Sequence, residues 1–241
     1  MKKVTKAIAA IMLMTAAVFA AGCTKEEPSS GSHNGHAYVD LGLPSGTLWA
    51  TSNLEAGNSK GHAHFAWGET MPMSYTSVGQ EVIANYKFWG TDGKMSKYCS
   101  TDHLTVLDDD DDAATVHWGE GWHMPDGTEV MELLNECGHR WDSINGVSGL
   151  LVIGENGNTL FLPAAGLKGV FSWEEDFQTE FNQAGHSGQY WMRERGVAFN
   201  NYSTPDVEYL ANEFYFPYGN NGGSRTERSR GLPIRPVCSA K

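Results

Sequence analysis

The stretch TVLDDDDDAATVHWGEGWHMPDGTE, residues 105–129, gathers the residue types that most readily do chemistry. Asp108, Asp109, Asp110, Asp111 and Asp112 run consecutively, and His117, Trp118, Trp122 and His123 follow. Calcium needs six to eight oxygens converging at about 2.3–2.6 Å, which loops achieve by spacing their acids. Consecutive acids point in different directions, so this run favours a solvated loop whose end, Asp111 and Asp112, caps a short helix over AATVHW. Calcium near Asp108, Asp109 and Asp110 is the alternative, and no other cofactor is expected.

Other constellations are thinner. His62 and His64 share a strand face but need further ligands to hold zinc or copper. GVSGL (146–150) and GHSGQ (185–189) lack the G-x-S-x-G spacing of a nucleophile elbow. Glu174, Glu175 and Asp176 could serve as a glycosidase acid and base, but acids this dense on a loop are more often solvated. The residues point to no catalytic site.

The chain that positions these residues begins like an exported protein. Lys2, Lys3 and Lys6 precede an apolar run over 7–21 that ends in AAGC at Cys23. That is the pattern of a lipoprotein signal, with residues 1–22 removed and Cys23 lipidated. TKEE (24–27) resembles a surface-export signal of Bacteroidetes lipoproteins. Residues 23–36 then read as the lipidated cysteine and a flexible tether, and 37–241 as one domain. The address is an outer membrane lipoprotein exposed at the cell surface. Loss of the three leader lysines takes the net charge from −12 to −15, which argues against nucleic-acid partners. Cys99, Cys137 and Cys238 remain, in an oxidising compartment where one disulfide and one odd thiol is the natural arithmetic.

Glycine is abundant, at 28 residues, and aromatics make up 11% of the chain, which favours short strands and loops. YVDLGL (38–43) and TLWATSN (47–53) flank a PSG turn and predict a hairpin. HAHFAWGE (62–69) alternates as a strand does. Asp126, with Glu129 three residues later, predicts a capped helix over 127–137, its stripe formed by Val130, Leu133, Leu134 and Cys137 and its end by Gly138. Asn156-Gly157 predicts a hairpin over 150–163. QYWMR (189–193), EYLANEFYF (208–216) and GLPIRPVC (231–238) predict strands, the last at an edge or irregular because of its prolines. The sum is an α+β domain with small antiparallel sheets, one or two short helices and long loops.

YVDLGLPSGTLWATSN, FAWGET, DDAATVHWGEGWHMPDGTE, LFLPAAG, YW and GLPIRPVC, in that order, resemble the signature of the Fibrobacter succinogenes major paralogous domain family, found in surface lipoproteins of gut Bacteroidetes. The likeness runs from about Tyr38 to Cys238. It implies a C-type-lectin-like fold, related at a distance to formylglycine-generating-enzyme domains. Those enzymes bind copper through two cysteines near the C-terminus, where this chain has only Cys238. In C-type-lectin-like domains a helix-to-last-strand disulfide is usual, which here implies Cys137–Cys238. That bond would close a loop of about 100 residues, worth at best roughly 4–5 kcal/mol. Pairing of Cys99 with either is the alternative.

The same resemblance places a ligand against loops and strands on one side of the small sheet. Trp173, Arg193, Asn200, Tyr202, Asn220 and Asn221 are the candidate contacts, since aromatics stack on sugar faces while amides and guanidinium groups bond hydroxyls. Tyr190 and Trp191 match the family's buried YW. Residues 218–231 match the surface that fold relatives vary in diversified receptors. Asp142-Ser143-Ile144 resembles a Bacteroidetes O-glycosylation signal. The expected function is a lipid-anchored, non-catalytic module that recognises a glycan or a protein. The alternatives are a component of a surface assembly such as a fimbria, or a glycan-processing or formylglycine-generating-like enzyme.

Overall fold

In a computed structural model of the chain, residues 30–55, 63–73, 85–169, 183–196 and 208–239 are described. Among these residues, eleven strands and two short α-helices form an α+β architecture that is mainly antiparallel sheet. A five-stranded sheet has the order β1 (Ser30–His33), β2 (His36–Asp40), β3 (Thr47–Ala50), β11 (Val237–Ser239), β4 (Trp122–His123). β5 (Gly138–Ile144), β6 (Val147–Ile153) and β7 (Thr159–Pro163) form a meander. β10 (Gly222–Glu227), β9 (Leu210–Pro217) and β8 (Ser187–Arg195) form the third sheet. The helices are α1 (Ala113–Trp118) and α2 (Gly127–Glu136).

Side chains of a strand alternate between faces, and two strands of the large sheet use both faces for burial. Leu48, Ala50 and Cys238 enter one apolar cluster with Phe65, Trp67, Trp122 and Trp191. Trp49 and Val237 enter a second with Val130, Leu133, Cys137, Leu162 and Phe216. This alternation decides the cysteines. Cys137 and Cys238 belong to different clusters on opposite faces of β11, and Cys99, Cys137 and Cys238 are all buried free thiols. The Cys137–Cys238 disulfide implied by the family resemblance is therefore not formed.

The predicted capping box is present. Asp126 accepts the Glu129 N–H at 2.8 Å, and Glu129 accepts the Asp126 N–H at 2.9 Å. Glu132 of the same helix accepts from the Ser45 N–H at 2.8 Å and pins the β2–β3 turn. Gly138 does not close the helix with a positive φ; Cys137 is the C-cap and Gly138 already begins β5.

Residues 30–36 are not a tether. Ser30–His33 pairs with β2 through a turn at Asn34 (φ 49°) and Gly35 (φ 84°), the left-handed pair a two-residue hairpin requires. That hairpin docks on α1. His36 stacks on Trp118, Asn34 donates to the Trp118 and Glu120 carbonyls, and Trp122 Nε1 donates to His33 O at 3.0 Å. Cys23 and the leader lie outside the described residues.

Candidate functional site

The acidic run divides by role. Asp108 lies 2.7 Å from Lys97. Asp111 is buried between Lys87 and Lys97, each at 2.6 Å, and accepts from Tyr98 Oη at 2.7 Å. Burial alone would raise the Asp111 pKa, but these hydrogen bonds outweigh it and hold it below the usual carboxylate value. Asp112 accepts the N–H groups of Ala114 and Thr115 as the N-cap of α1. Burial holds its pKa up, against the backbone hydrogen bond from Met124, the nearby Arg193 charge and the bond from Thr115. Asp109 and Asp110 sit in a 3-10 turn, Asp109–Asp111, and point outward. Two acids are thus neutralised by lysines and a third serves as a cap. Among the described residues no group of three or more His, Cys, Asp or Glu is placed to hold a metal.

The histidines are dispersed. His64 is buried, His117 contacts the Thr70 carbonyl, and His123 meets Glu129 at 3.1 Å, while His62 lies outside the described residues. Burial would lower the His123 pKa, but Glu129 outweighs it and raises it. Ser187 is buried and donates to Gln183. Glu174, Glu175 and Asp176 lie outside the described residues.

The candidate ligand contacts fall into three groups. Trp173, Asn200 and Tyr202 lie outside the described residues. Asn220 and Asn221 line a groove of about 300 Å³ where the turn after β9 faces β5. Arg193 lines a different cavity, with Asp109, Thr115 and His123. Tyr190 and Trp191 are buried. Residues 218–221 are a turn, but Gly222–Glu227 is the paired strand β10, not a displayed loop.

The groove is the more developed ligand surface. β5 supplies His139, Arg140 and Trp141, β6 supplies Leu150, and Pro217 ends β9. The Tyr218 ring stands edge-on to Trp141, centroids 5.9 Å apart at 78°, and is 78% exposed. Arg140 holds Asp142 through Nε at 3.2 Å and Nη2 at 3.0 Å, which fixes the guanidinium along β5. Asn220 is exposed, and its backbone N–H closes the turn onto Pro217 O at 3.2 Å. The wall therefore combines an aromatic step with amide donors and acceptors and a fixed cation.

Sequence reasoning found the Asn220 and Asn221 side of this groove and missed the β5 side. The signal was present in HRWDSINGVSG, where Asn145-Gly146 marks a tight turn. Compared with known proteins, the chain matches no family model, no curated protein and no solved structure.

Proposed function

We propose that this domain is a non-catalytic, surface-displayed binding module that recognises a glycan in the Trp141 groove. The observation that carries the reading is Trp141 and the amides of Asn220 and Asn221 around one open groove, with the exposed Tyr218 ring edge-on to Trp141 beside it. Sugar rings offer apolar C–H faces and hydroxyl rims, and an aromatic step bordered by amides complements both. The fold is read as C-type-lectin-like, supported by the family resemblance and by the first and last strands sharing one sheet. The leader sequence supports a lipid anchor at Cys23 on the outer membrane. In that setting β1 begins seven residues after the anchor, so the domain sits close to the bilayer.

A glycan array followed by titration calorimetry tests this reading. A defined glycan should bind, and Trp141→Ala should weaken it by about tenfold or more. Absence of binding to any glycan, together with co-purification in a surface filament, would replace the reading with a structural role in an assembly.

A further inference from the structure

The second cavity, of about 240 Å³, opens between the 3-10 turn, α1, β4 and β8. Arg193 of β8 lines it. A guanidinium carries five N–H donors. This one makes a single hydrogen bond among the described residues, from Nη2 to Leu107 O at 3.3 Å, and its buried Nε has no acceptor. The carboxylate paired with it, Asp109, stands 3.9 Å away with its side chain 83% exposed. A settled guanidinium–carboxylate fork closes to about 2.7–2.9 Å, so Asp109 is a loose and replaceable partner.

The remaining lining adds one further donor and several acceptors. His123 adds a ring whose protonated form Glu129 favours. Glu120 and Asp109 offer carboxylate acceptors, and Thr115 gives its hydroxyl proton to the Trp122 carbonyl at 2.8 Å, leaving its oxygen to accept. An under-used cation beside several acceptors complements a ligand with one carboxylate and several hydroxyls. The volume falls below the range of drug-sized pockets and suits one small ring. We propose that this cavity binds a single hydroxylated carboxylate of the uronic-acid type. Its carboxylate takes Arg193 from Asp109, and its hydroxyls donate to Glu120 and Thr115. The site shares no lining residue with the Trp141 groove and does not depend on that groove binding anything.

Calorimetric titration of the full-length protein with sodium glucuronate tests this, with glucose and sodium acetate as the comparison probes. Glucuronate should bind, glucose should not, and acetate should bind more weakly. Arg193→Gln should weaken glucuronate by about tenfold or more. Asp109→Asn should strengthen it by about two- to fivefold, because an exposed competing charge is removed. Asp109 is exposed, so this variant stays informative even if Arg193→Gln disturbs the charge balance at buried Asp112. Trp141→Ala should leave glucuronate binding unchanged. Equal binding of glucose and glucuronate, no glucuronate binding, or an Asp109→Asn variant that binds no better would each overturn the proposal.

Discussion

The Asp112 carboxylate accepts the Met124 backbone N–H at 2.9 Å while capping α1 through the N–H groups of Ala114 and Thr115. One fully buried side chain thus ties the start of the helix to the strand-and-turn segment that follows it. Asp112→Ala leaves those three donors buried without an acceptor, and each such loss costs about 1–3 kcal/mol. We expect the variant to lose roughly 2–4 kcal/mol in urea denaturation. Asp112→Asn keeps one acceptor oxygen and should lose about 1 kcal/mol. Equal losses for the two would show that the carboxylate charge, not the cap, is what matters.

Asp111 should govern the acid limb of stability. Its folded-state pKa lies below the ordinary 3.8, because Lys87, Lys97 and Tyr98 donate to it against the opposing effect of burial. A depressed carboxylate contributes stability that is full above the unfolded pKa and is lost as pH falls through the folded one. Thermal melts should therefore drop more steeply below about pH 4 in the wild type than in Asp111→Asn. Parallel pH profiles for the two proteins would remove Asp111 from this role.

The β1–β2 hairpin should loosen on mild acidification. His36 stacks flat on Trp118, centroids 4.0 Å apart and 6° from parallel, and burial lowers its pKa below 6.5. For a base with a lowered folded pKa, the unfolded chain takes the proton first, so stability falls as pH drops from 6.5 toward the folded value. Hydrogen exchange at β1 and β2 amides should accelerate from pH 7 to pH 5, after correction for intrinsic rates. His36→Phe should abolish that pH dependence.

Legibility in the sequence followed how local each determinant is. The α2 capping box, the Asp112 cap and the β6–β7 hairpin were readable because each is fixed by residues a few positions apart. The chain holds four Asn-Gly pairs, and of these Asn156-Gly157 has the clearest apolar strands on both sides. Asn34-Gly35 and Asn145-Gly146 also turn hairpins, with both residues at positive φ. Their strands β1 and β5 are largely exposed and polar, so hydrophobic alternation could not reveal them. The groove was half legible for the same reason, since β5 carries Trp141. Separating Arg193 from Asn220 required knowing how β8 packs beside β4 and the 3-10 turn, which is tertiary information.

The thiols should be chemically silent until the chain unfolds. Cys99, Cys137 and Cys238 are buried and unpaired, and burial pushes the Cys137 and Cys238 thiols up to about 11. A thiol with a raised pKa holds little thiolate at neutral pH and reacts slowly. Iodoacetamide should therefore label none of them in the native domain and all of them in guanidinium, and reductant should leave the melting temperature unchanged. A reductant-sensitive melt would restore a disulfide, and with it a different packing of β11.

Tyr218, whose ring meets Trp141 beside the groove, should separate binding from folding. Its ring is 78% exposed and meets Trp141 by one edge, so it buries little apolar surface in the free protein. Tyr218→Ala should change stability by less than about 0.5 kcal/mol, as surface substitutions usually do. Trp141 is half-buried against the second apolar cluster, so its removal should cost both stability and affinity. If the two rings clasp one sugar, Tyr218→Ala should weaken glycan binding several-fold while thermal melts match the wild type. The double variant should then weaken it by less than the product of the two single effects, because each ring has already lost its partner across the sugar. Full affinity in Tyr218→Ala would confine the contact to Trp141 and the asparagine turn.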